Sequence, residues 1–387
     1  MLNTLGNGAV APFLVIYLHD VRGIPLGVAG LAGSTGAACG LFGALAAGAV
    51  ADRAGARRTM FVGLLLSTTA YFLYPAVREA WQAFVLAGLA GSGLGTWLTM
   101  QSTVLASIAP PELRHVAFAQ QRVAANLGLG FGGFLGGLLV TTSDPASFTR
   151  LFLFNAVTFL AYSAFVLWLP DVETRREGRR VGGYGTVLRD HALRGVALVQ
   201  LLLVAGAVSL LVSLFPVFAR NDAGVSEWTI GLVFLLNSLF IIFAQVPVAR
   251  AHEGHRRMTG LAATAGLFAL AWTIVLLTPS LTVSAAAALL VLAVLVFALG
   301  ECLYDTVEGP LVADLAPESL RGSYMAVNGI AWQLGFIAGP GIGGLLLGWS
   351  GTALWLAAAG VCVTAGLLAL ALEVSIPHEY RITPVRA

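Results

Sequence analysis

The stretch VLASIAPPELRHVAFAQQRVAANLGLGFGGFLGGLLV, residues 104–140, is echoed by LVADLAPESLRGSYMAVNGIAWQLGFIAGPGIGGLLL, residues 311–347. The offset is 207 and the register holds without a gap. Pro110 falls on Pro317, Leu113 on Leu320, Arg114 on Arg321 and Gly128 on Gly335. Gly136 and Gly137 fall on Gly343 and Gly344. A weaker echo links ADRAGARRTM (51–60) to ARAHEGHRRMT (249–259). Each half of the chain therefore carries a copy of one unit, and an internal repeat constrains the fold more than any single motif.

The unit is membranous. Of the 387 residues, 58% are hydrophobic and 10% charged, and the mean hydropathy is +0.87. A soluble domain is about 25% charged, so this chain cannot coat a water-facing surface. Apolar runs of about 20 residues recur between short polar breaks. They fall at 2–18, 26–51, 59–77, 81–108, 117–140, 150–169, 194–218, 227–249, 258–278, 283–312, 323–347 and 352–372. Each is expected to be helical, because a lone strand cannot satisfy its backbone in lipid. The fold class is thus all-α integral membrane, with twelve transmembrane helices.

Arginine sets the orientation; there is no lysine. Loops after even-numbered spans, with the C-terminal tail, hold sixteen arginines, among them Arg53, Arg57, Arg58, Arg114 and Arg321. The remaining loops hold four: Arg22, Arg78, Arg150 and Arg220. Arg122 lies inside a span. The excess puts the first set and both termini in the cytoplasm. The longest break, DVETRREGRRVGGYGTVLRDHALRG (171–195), is charged and falls at the midpoint. It divides the chain into a bundle over 1–170, a linker over 171–193 and a second bundle over 194–387. Repeats with an even number of spans keep one orientation, so the bundles are expected to be related by an axis along the membrane normal.

GAVADRAGARR, Gly48 to Arg58, joins the second and third spans. It resembles the signature loop of the major facilitator superfamily at Gly48, Asp52, Arg53, Gly55, Arg57 and Arg58. The chemistry is coherent: Gly48 permits close helix approach, Gly55 turns the chain, and Asp52 can meet the positive N-terminus of a neighbouring helix. The resemblance implies that this loop latches the two halves on the cytoplasmic side during alternating access. The eleventh span carries Gly335, Gly339, Pro340, Gly343 and Gly344, similar to an antiporter motif that normally marks the fifth span. Here the fifth span has Gly133 in place of the proline. Small residues at this spacing also serve plain helix packing. Leu5, Gly6 and Pro12 resemble a short drug-antiporter motif in the first span. The arginine usual in the fourth span is missing, with Ala87 near its place, which bears on proton coupling. The resemblance spans the whole chain, and the drug:proton antiporters of multidrug efflux are the most similar branch.

Glu301, Asp305 and Glu308 stand in ECLYDTVEGP after the greasy run SAAAALLVLAVLVFALG. Their i, i+4, i+7 spacing puts them on one helix face. Such a stripe faces protein or a wet cavity rather than lipid. Glu301 falls near mid-membrane and Glu308 nearer the cytoplasmic end. A poorly solvated carboxyl group favours its neutral form and can exchange protons near neutral pH. A carboxylate also attracts a cationic substrate. The other reading is a structural network in which Arg122, or a cavity residue such as Gln101, holds the acids. In the superfamily the first, fourth, seventh and tenth spans line the central cavity, and this span is the tenth.

Other signals carry less. Cys39, Cys302 and Cys362 sit singly in apolar runs and read as small hydrophobes. The histidines of HEGH (252–255) are three apart, not the four of a zinc protease, so no metal is expected. Gly128, Gly130 and Gly133 match a dinucleotide fingerprint by spacing, but no strand precedes them. No cofactor and no nucleic-acid partner is expected. No cleavable signal peptide is evident, and either a start upstream of Met1 or a short, tilted first span accounts for the N-terminus. The expectation is a monomeric, multi-pass transporter of a bacterial inner membrane, not an enzyme, that exports lipophilic or cationic compounds in exchange for protons. The rivals are a narrow-substrate metabolite exporter or facilitator without proton coupling, and a non-transport membrane protein.

Overall fold

The computed structural model describes residues 1–110, 113–169 and 184–384. Most of the expected linker therefore lies outside the described residues. Among the described residues eleven helices are long and apolar enough to cross a membrane. A twelfth rod, α1, is built from Leu2–Val10, Ala11–Phe13, Leu14–Ile16 and Tyr17–Val21. The first half continues with α2 (Leu26–Ala54), α3 (Ala56–Leu73), α4 (Ala80–Ile108), α5 (Arg114–Leu139) and α6 (Pro145–Val166). The second half opens with α7, a rod of His191–Leu203, Val204–Val208, Ser209–Ser213 and Phe215–Asn221. It is followed by α8 (Glu227–Ala251), α9 (Arg257–Leu276), α10 (Val283–Leu315), α11 (Arg321–Trp349) and α12 (Gly351–Leu372).

Every span expected from hydropathy lies on one of these rods. The largest shift in a start is at α6, which begins at Pro145 rather than 150. Asp144 explains it: its carboxylate accepts the Ala146 amide at 3.0 Å, and Pro145 has the φ of a first helical turn. Asp190, Ser226 and Ser350 cap α7, α8 and α12 in the same way. Both α1 and α7 are broken rods. Pro12 and Pro216 interrupt them, and α7 also carries a π-helical turn at Val204–Val208. That turn meets α11 where glycine leaves room: a Cβ on Gly335 would lie 2.6 Å from the Val204 side chain.

The repeated glycines do the same work in each half. Gly128, Gly132 and Gly136 of α5 pack on α1, while their counterparts Gly335, Gly339 and Gly343 of α11 pack on α7. One residue further round, the same two helices cross between the halves. A Cβ on Gly137 would meet the Glu227 carbonyl of α8 at 2.5 Å, and one on Gly133 the Phe234 side chain at 2.9 Å. On the other side, Gly344 lies against Leu26 and Gly30 of α2. Close backbone approach of this kind is how apolar helices associate in lipid, where burial of apolar surface gives no drive.

These cross-half contacts cluster toward the arginine-poor end of the molecule. There a polar seal completes them. Thr142, after α5, donates its amide and its hydroxyl to Glu227 Oε1, each at 2.9 Å. Arg220 pairs with Glu227 at 3.2 Å and donates to the Thr142 hydroxyl at 2.6 Å. Asn221 donates to Asp20 of α1 at 2.9 Å. At the arginine-rich end the described ties run within a half instead. Arg257 pairs with Asp314 at 2.6 Å and Arg256 with Glu373 at 2.9 Å, and the tail at Arg381 and Thr383 bonds back to the α8–α9 loop.

Candidate functional site

The carboxylates sit on α10, a helix of 33 residues. At 1.5 Å per residue Glu301 is roughly 27 Å from its start and 21 Å from its end. Glu301 therefore lies near the middle of α10. All three acids face protein, each toward a different helix. Glu301 accepts a hydrogen bond from Asn237 of α8 at 3.2 Å. Asp305 forms an ion pair with Arg122 of α5, across the two halves. Glu308 lies against Asn328 of α11. Glu308 is 6% exposed, and its Oε1 has no hydrogen-bond partner among the described residues.

Beside Asp305 and Glu308 is a cavity of about 350 Å³. Its walls include Arg122, Asp305, Glu308, Asn328, Trp332 and Tyr304, drawn from α5, α10 and α11, with Gln200 from α7. The expectation of walls from the first, fourth, seventh and tenth spans holds here for α7 and α10, while α5 and α11 supply the rest. The lining is ordered by its own bonds. The Tyr304 hydroxyl donates to Gln200 Oε1 at 3.1 Å, and Gln200 Nε2 donates to the Asn328 carbonyl at 2.6 Å. Trp332 carries the apolar wall, with its ring 6.2 Å from that of Tyr304 and 5.7 Å from that of Phe336.

The internal repeat shows what is special about this site. The offset of 207 places Gln101 opposite Glu308 and Gln121 opposite Asn328. Gln121 donates to Gln101 at 3.1 Å, so the same helix contact is built twice, once neutral and once acidic. Leu94 and Leu98 stand where α10 has Glu301 and Asp305. The acids belong to one half, and the arginine that answers them belongs to the other. Gln101 itself bonds Tyr162 and Gln121 rather than the acids, so its expected role in holding them is not realised. Arg122 does hold Asp305. With Asp305 28% and Arg122 63% exposed, that pair contributes on the order of 1 kcal/mol or less.

The loop between α2 and α3 turns where expected. Gly55 has φ +86°, open to glycine but strained for other residues. Arg57 donates to the Leu169 carbonyl at 2.9 Å, tying the loop to the end of α6. Asp52, Arg53 and Arg58 are exposed. Gly48 departs from expectation: among the described residues nothing lies within 4 Å of the position its Cβ would take. The cross-half contacts of α2 lie toward its other end, so no described helix reaches Gly48 in this conformation. Pro340 and Gly344 of the eleventh-span motif face α2, while Gly335, Gly339 and Gly343 face α7.

Asn237, Asn328, Tyr304 and Trp332 are polar or aromatic groups within apolar spans, and nothing in their spacing shows that they converge on the acids. Gln200 is not singled out above: it is a lone amide in VALVQLLLV, 1% exposed, and it bridges α10 and α11. An amide isolated in so apolar a run was the available signal.

The major facilitator superfamily model matches residues 1–297 and 230–387. The chain belongs to this superfamily. It is a multi-pass membrane transporter. Its relatives include the MFS-type transporter YqjV of Bacillus subtilis, 25% identical over 87% of this chain and 81% of that protein. The multidrug resistance protein MdtH of Escherichia coli is 26% identical over 90% of this chain and 84% of its own. Among solved structures, nucleoside transporter NupG superposes with a TM-score of 0.76 at 14% identity, covering 96% and 98% of the two chains. A D-xylose–proton symporter gives 0.74 at 16% identity, covering 99% and 98%. These structures share the transporter's fold, and at such identities the likeness goes no further.

Proposed function

We propose that this transporter exports small lipophilic or cationic compounds, drugs among them, in exchange for protons. The observation that carries the reading is Glu301, a carboxyl group at mid-helix depth beside a cavity between the two halves. The similarity to MdtH supports the multidrug branch. By the distribution of arginine, the arginine-rich end and both termini face the cytoplasm of a bacterial inner membrane. The seal of Thr142, Arg220 and Glu227 then closes the outer face, and the conformation described is cytoplasm-facing. The bundles of 1–170 and 194–387 rock about the central site, joined by the 171–193 linker. Gly48, Asp52, Arg53, Gly55, Arg57 and Arg58 form the inner latch that engages when the halves close there. The transporter works as a monomer.

The exchange follows from the chemistry of a carboxyl group in a poorly solvated site. With the cytoplasmic side open, Glu301 gives up its proton and the compound enters. With the outer side open, a proton returns to Glu301 and the compound leaves. One specific observation favours a second reading, a narrow-substrate exporter or a facilitator without proton coupling: α4 lacks the arginine tied to coupling in related antiporters, with Ala87 near that place.

Efflux of a lipophilic cationic dye tests the two readings in cells stripped of their main pumps. Wild-type protein is expected to export dye, and both an uncoupler and Glu301→Gln to abolish export. Full export by Glu301→Gln would remove Glu301 from coupling. Export that ignores the uncoupler would establish the second reading.

A further inference from the structure

The two halves build matching loops with different chemistry. At an offset of 199 the loop after α2 falls on the loop after α8: Gly55 on Gly254, Arg57 on Arg256 and Arg58 on Arg257. The structure repeats with the sequence. Both glycines have positive φ, +86° and +74°. Arg57 reaches the Leu169 carbonyl at the end of α6, and Arg256 reaches Glu373 at the end of α12, each at 2.9 Å. Yet His252 and His255 stand where the first loop has Arg53 and Ala56.

The second loop also carries a strap. After α12 the chain folds back and pairs antiparallel with the loop, Ile382 facing Arg256. Gly254 donates its amide to the Thr383 carbonyl at 3.0 Å, Thr383 to the His255 carbonyl at 2.9 Å, and Arg257 to the Arg381 carbonyl at 2.8 Å. On the way, the turn His378–Tyr380 packs against α10. Beneath the strap the His252 ring is wedged between two helices. A Cβ on Gly260 of α9 would lie 2.7 Å from His252 Nε2 and 3.0 Å from the Val307 side chain of α10.

This wedge suits a neutral ring. His252 Nε2 is buried and has no hydrogen-bond partner among the described residues. A charged imidazole must donate from both nitrogens, and a buried donor without an acceptor is destabilising. The groups around it add to that cost. His255 stacks on it from the loop, with ring centroids 5.7 Å apart. Arg257 of α9 is 3% exposed and pairs with Asp314 of α10 at 2.6 Å. Arg381 of the strap turns its guanidinium back onto the Val374 and Ile376 carbonyls. Burial, His255 and Arg257 together hold His252 below the ordinary histidine range. The ring therefore binds a proton more readily outside the wedge, and acid favours that position. The turn that seats the ring, His252–His255, is also the turn that holds the strap, so the two are expected to leave together.

We propose that the strap is a cytoplasmic pH switch: neutral His252 keeps the tail on the loop, and protonation from the cytoplasm releases the tail and slows transport. The strapped form ties the α8–α9 loop, α10 and the end of α12 into one piece that moves together when the halves rock. An exporter that takes in protons as it works would then slow as the cytoplasm acidifies. The inference rests on the exporter reading above and goes beyond it, at a place apart from the cavity.

Spin labels at Ser319→Cys and Ile382→Cys, both exposed, report the strap in nanodiscs by electron–electron distance, with Cys39, Cys302 and Cys362 replaced by alanine. With His252 intact, the distribution should pass from narrow and short at about pH 7.5 to broad and longer at about pH 5.5. His252→Gln should stay short at both, and His252→Arg, charged throughout, should be long at both. Transport is read as ethidium accumulation in inside-out vesicles, whose outer buffer sets the cytoplasmic pH, with the pH gradient held constant. Between the same two conditions wild type should lose about fivefold or more of its rate and His252→Gln about twofold or less. A disulfide between Arg256→Cys and Ile382→Cys, which face each other across the bridge, should preserve transport in acid until it is reduced. Thermal unfolding of each variant controls for folding. The switch is overturned if the label distances ignore pH, if His252→Gln is as acid-sensitive as wild type, or if the locked strap slows in acid as much as its reduced form. Failure of the exporter reading looks different. Ethidium would then accumulate at neither pH while the distances still followed His252, which would end control of export and leave the strap's response to acid standing.

Discussion

Replacing Thr142 by valine removes one hydroxyl from the seal at the arginine-poor end and leaves every charge in place. The hydroxyl donates to Glu227 at 2.9 Å and accepts from Arg220 at 2.6 Å. Glu227 and Arg220 both belong to the second half, so their own pairing survives when the halves part. The cross-half bonds do not. Hydrogen bonds to charged groups are worth about 1.5–3 kcal/mol each when buried. Thr142 is only half-buried, and water replaces both bonds once that end opens, so about 1–2 kcal/mol for the two together is the reasonable figure. This shifts the equilibrium toward the parted form about 5- to 30-fold. The Thr142 amide still donates to Glu227, so the seal weakens without disappearing. Spin labels at Arg78→Cys and Ser280→Cys report the opening by electron–electron distance, with Cys39, Cys302 and Cys362 replaced by alanine. Both label sites are exposed, one in each half. Thr142→Val should enlarge the long-distance population, and Thr142→Ser, which keeps the hydroxyl, should match the parent. An unchanged distribution in Thr142→Val would refute the claim that this hydroxyl holds the halves together.

Gly344→Val should act through the same equilibrium by sterics, because its Cβ would lie 2.9 Å from the Leu26 carbonyl and 3.1 Å from Gly30 Cα, neither of which can rotate away; the same label pair should report parting, with helix content by circular dichroism unchanged. Gly55→Ala forces a side chain into φ +86° and should cost about 1–3 kcal/mol, seen as a lowered unfolding temperature of the purified transporter. His252, in the loop after α8, is held below the usual histidine range by burial and by the nearby His255 and Arg257. The unfolded loop binds the proton more readily, so the contribution of neutral His252 is present above its ordinary pKa of about 6.5 and is lost as pH falls. Hydrogen exchange at Gly254, Arg257 and Thr383, whose amides hold the tail, should lose protection between pH 7.5 and 5.5 after correction for intrinsic rates, and His252→Gln should flatten that dependence.

Spans, their number and the duplication were legible because each depends on local composition. Twenty apolar residues in lipid have one way to satisfy their backbone, and the Pro110–Gly137 segment recurs whatever surrounds it. The i, i+4, i+7 acids were legible as a stripe for the same reason, since helical geometry alone aligns them. Gly55 was legible as a turn, because only glycine tolerates its backbone angle at little cost.

What each side chain meets was not legible. Glu301, Asp305 and Glu308 look equivalent in the sequence, yet they meet Asn237, Arg122 and Asn328 on three different helices. Gln101 was as plausible a partner as Arg122 and bonds elsewhere. Gly48 was as plausible a packing glycine as Gly137, yet no described residue lies near its Cβ position in this conformation. Those outcomes depend on how each helix is rotated about its axis and how far the halves are spread at that depth, and both are set by packing between residues hundreds of positions apart. The sequence by itself determined a duplicated twelve-helix membrane protein with an acidic tenth span, because hydropathy, charge and helical period act over short stretches of chain. Only the tertiary structure decided which partner each acid meets, because that depends on the groups brought to one point by four separate helices.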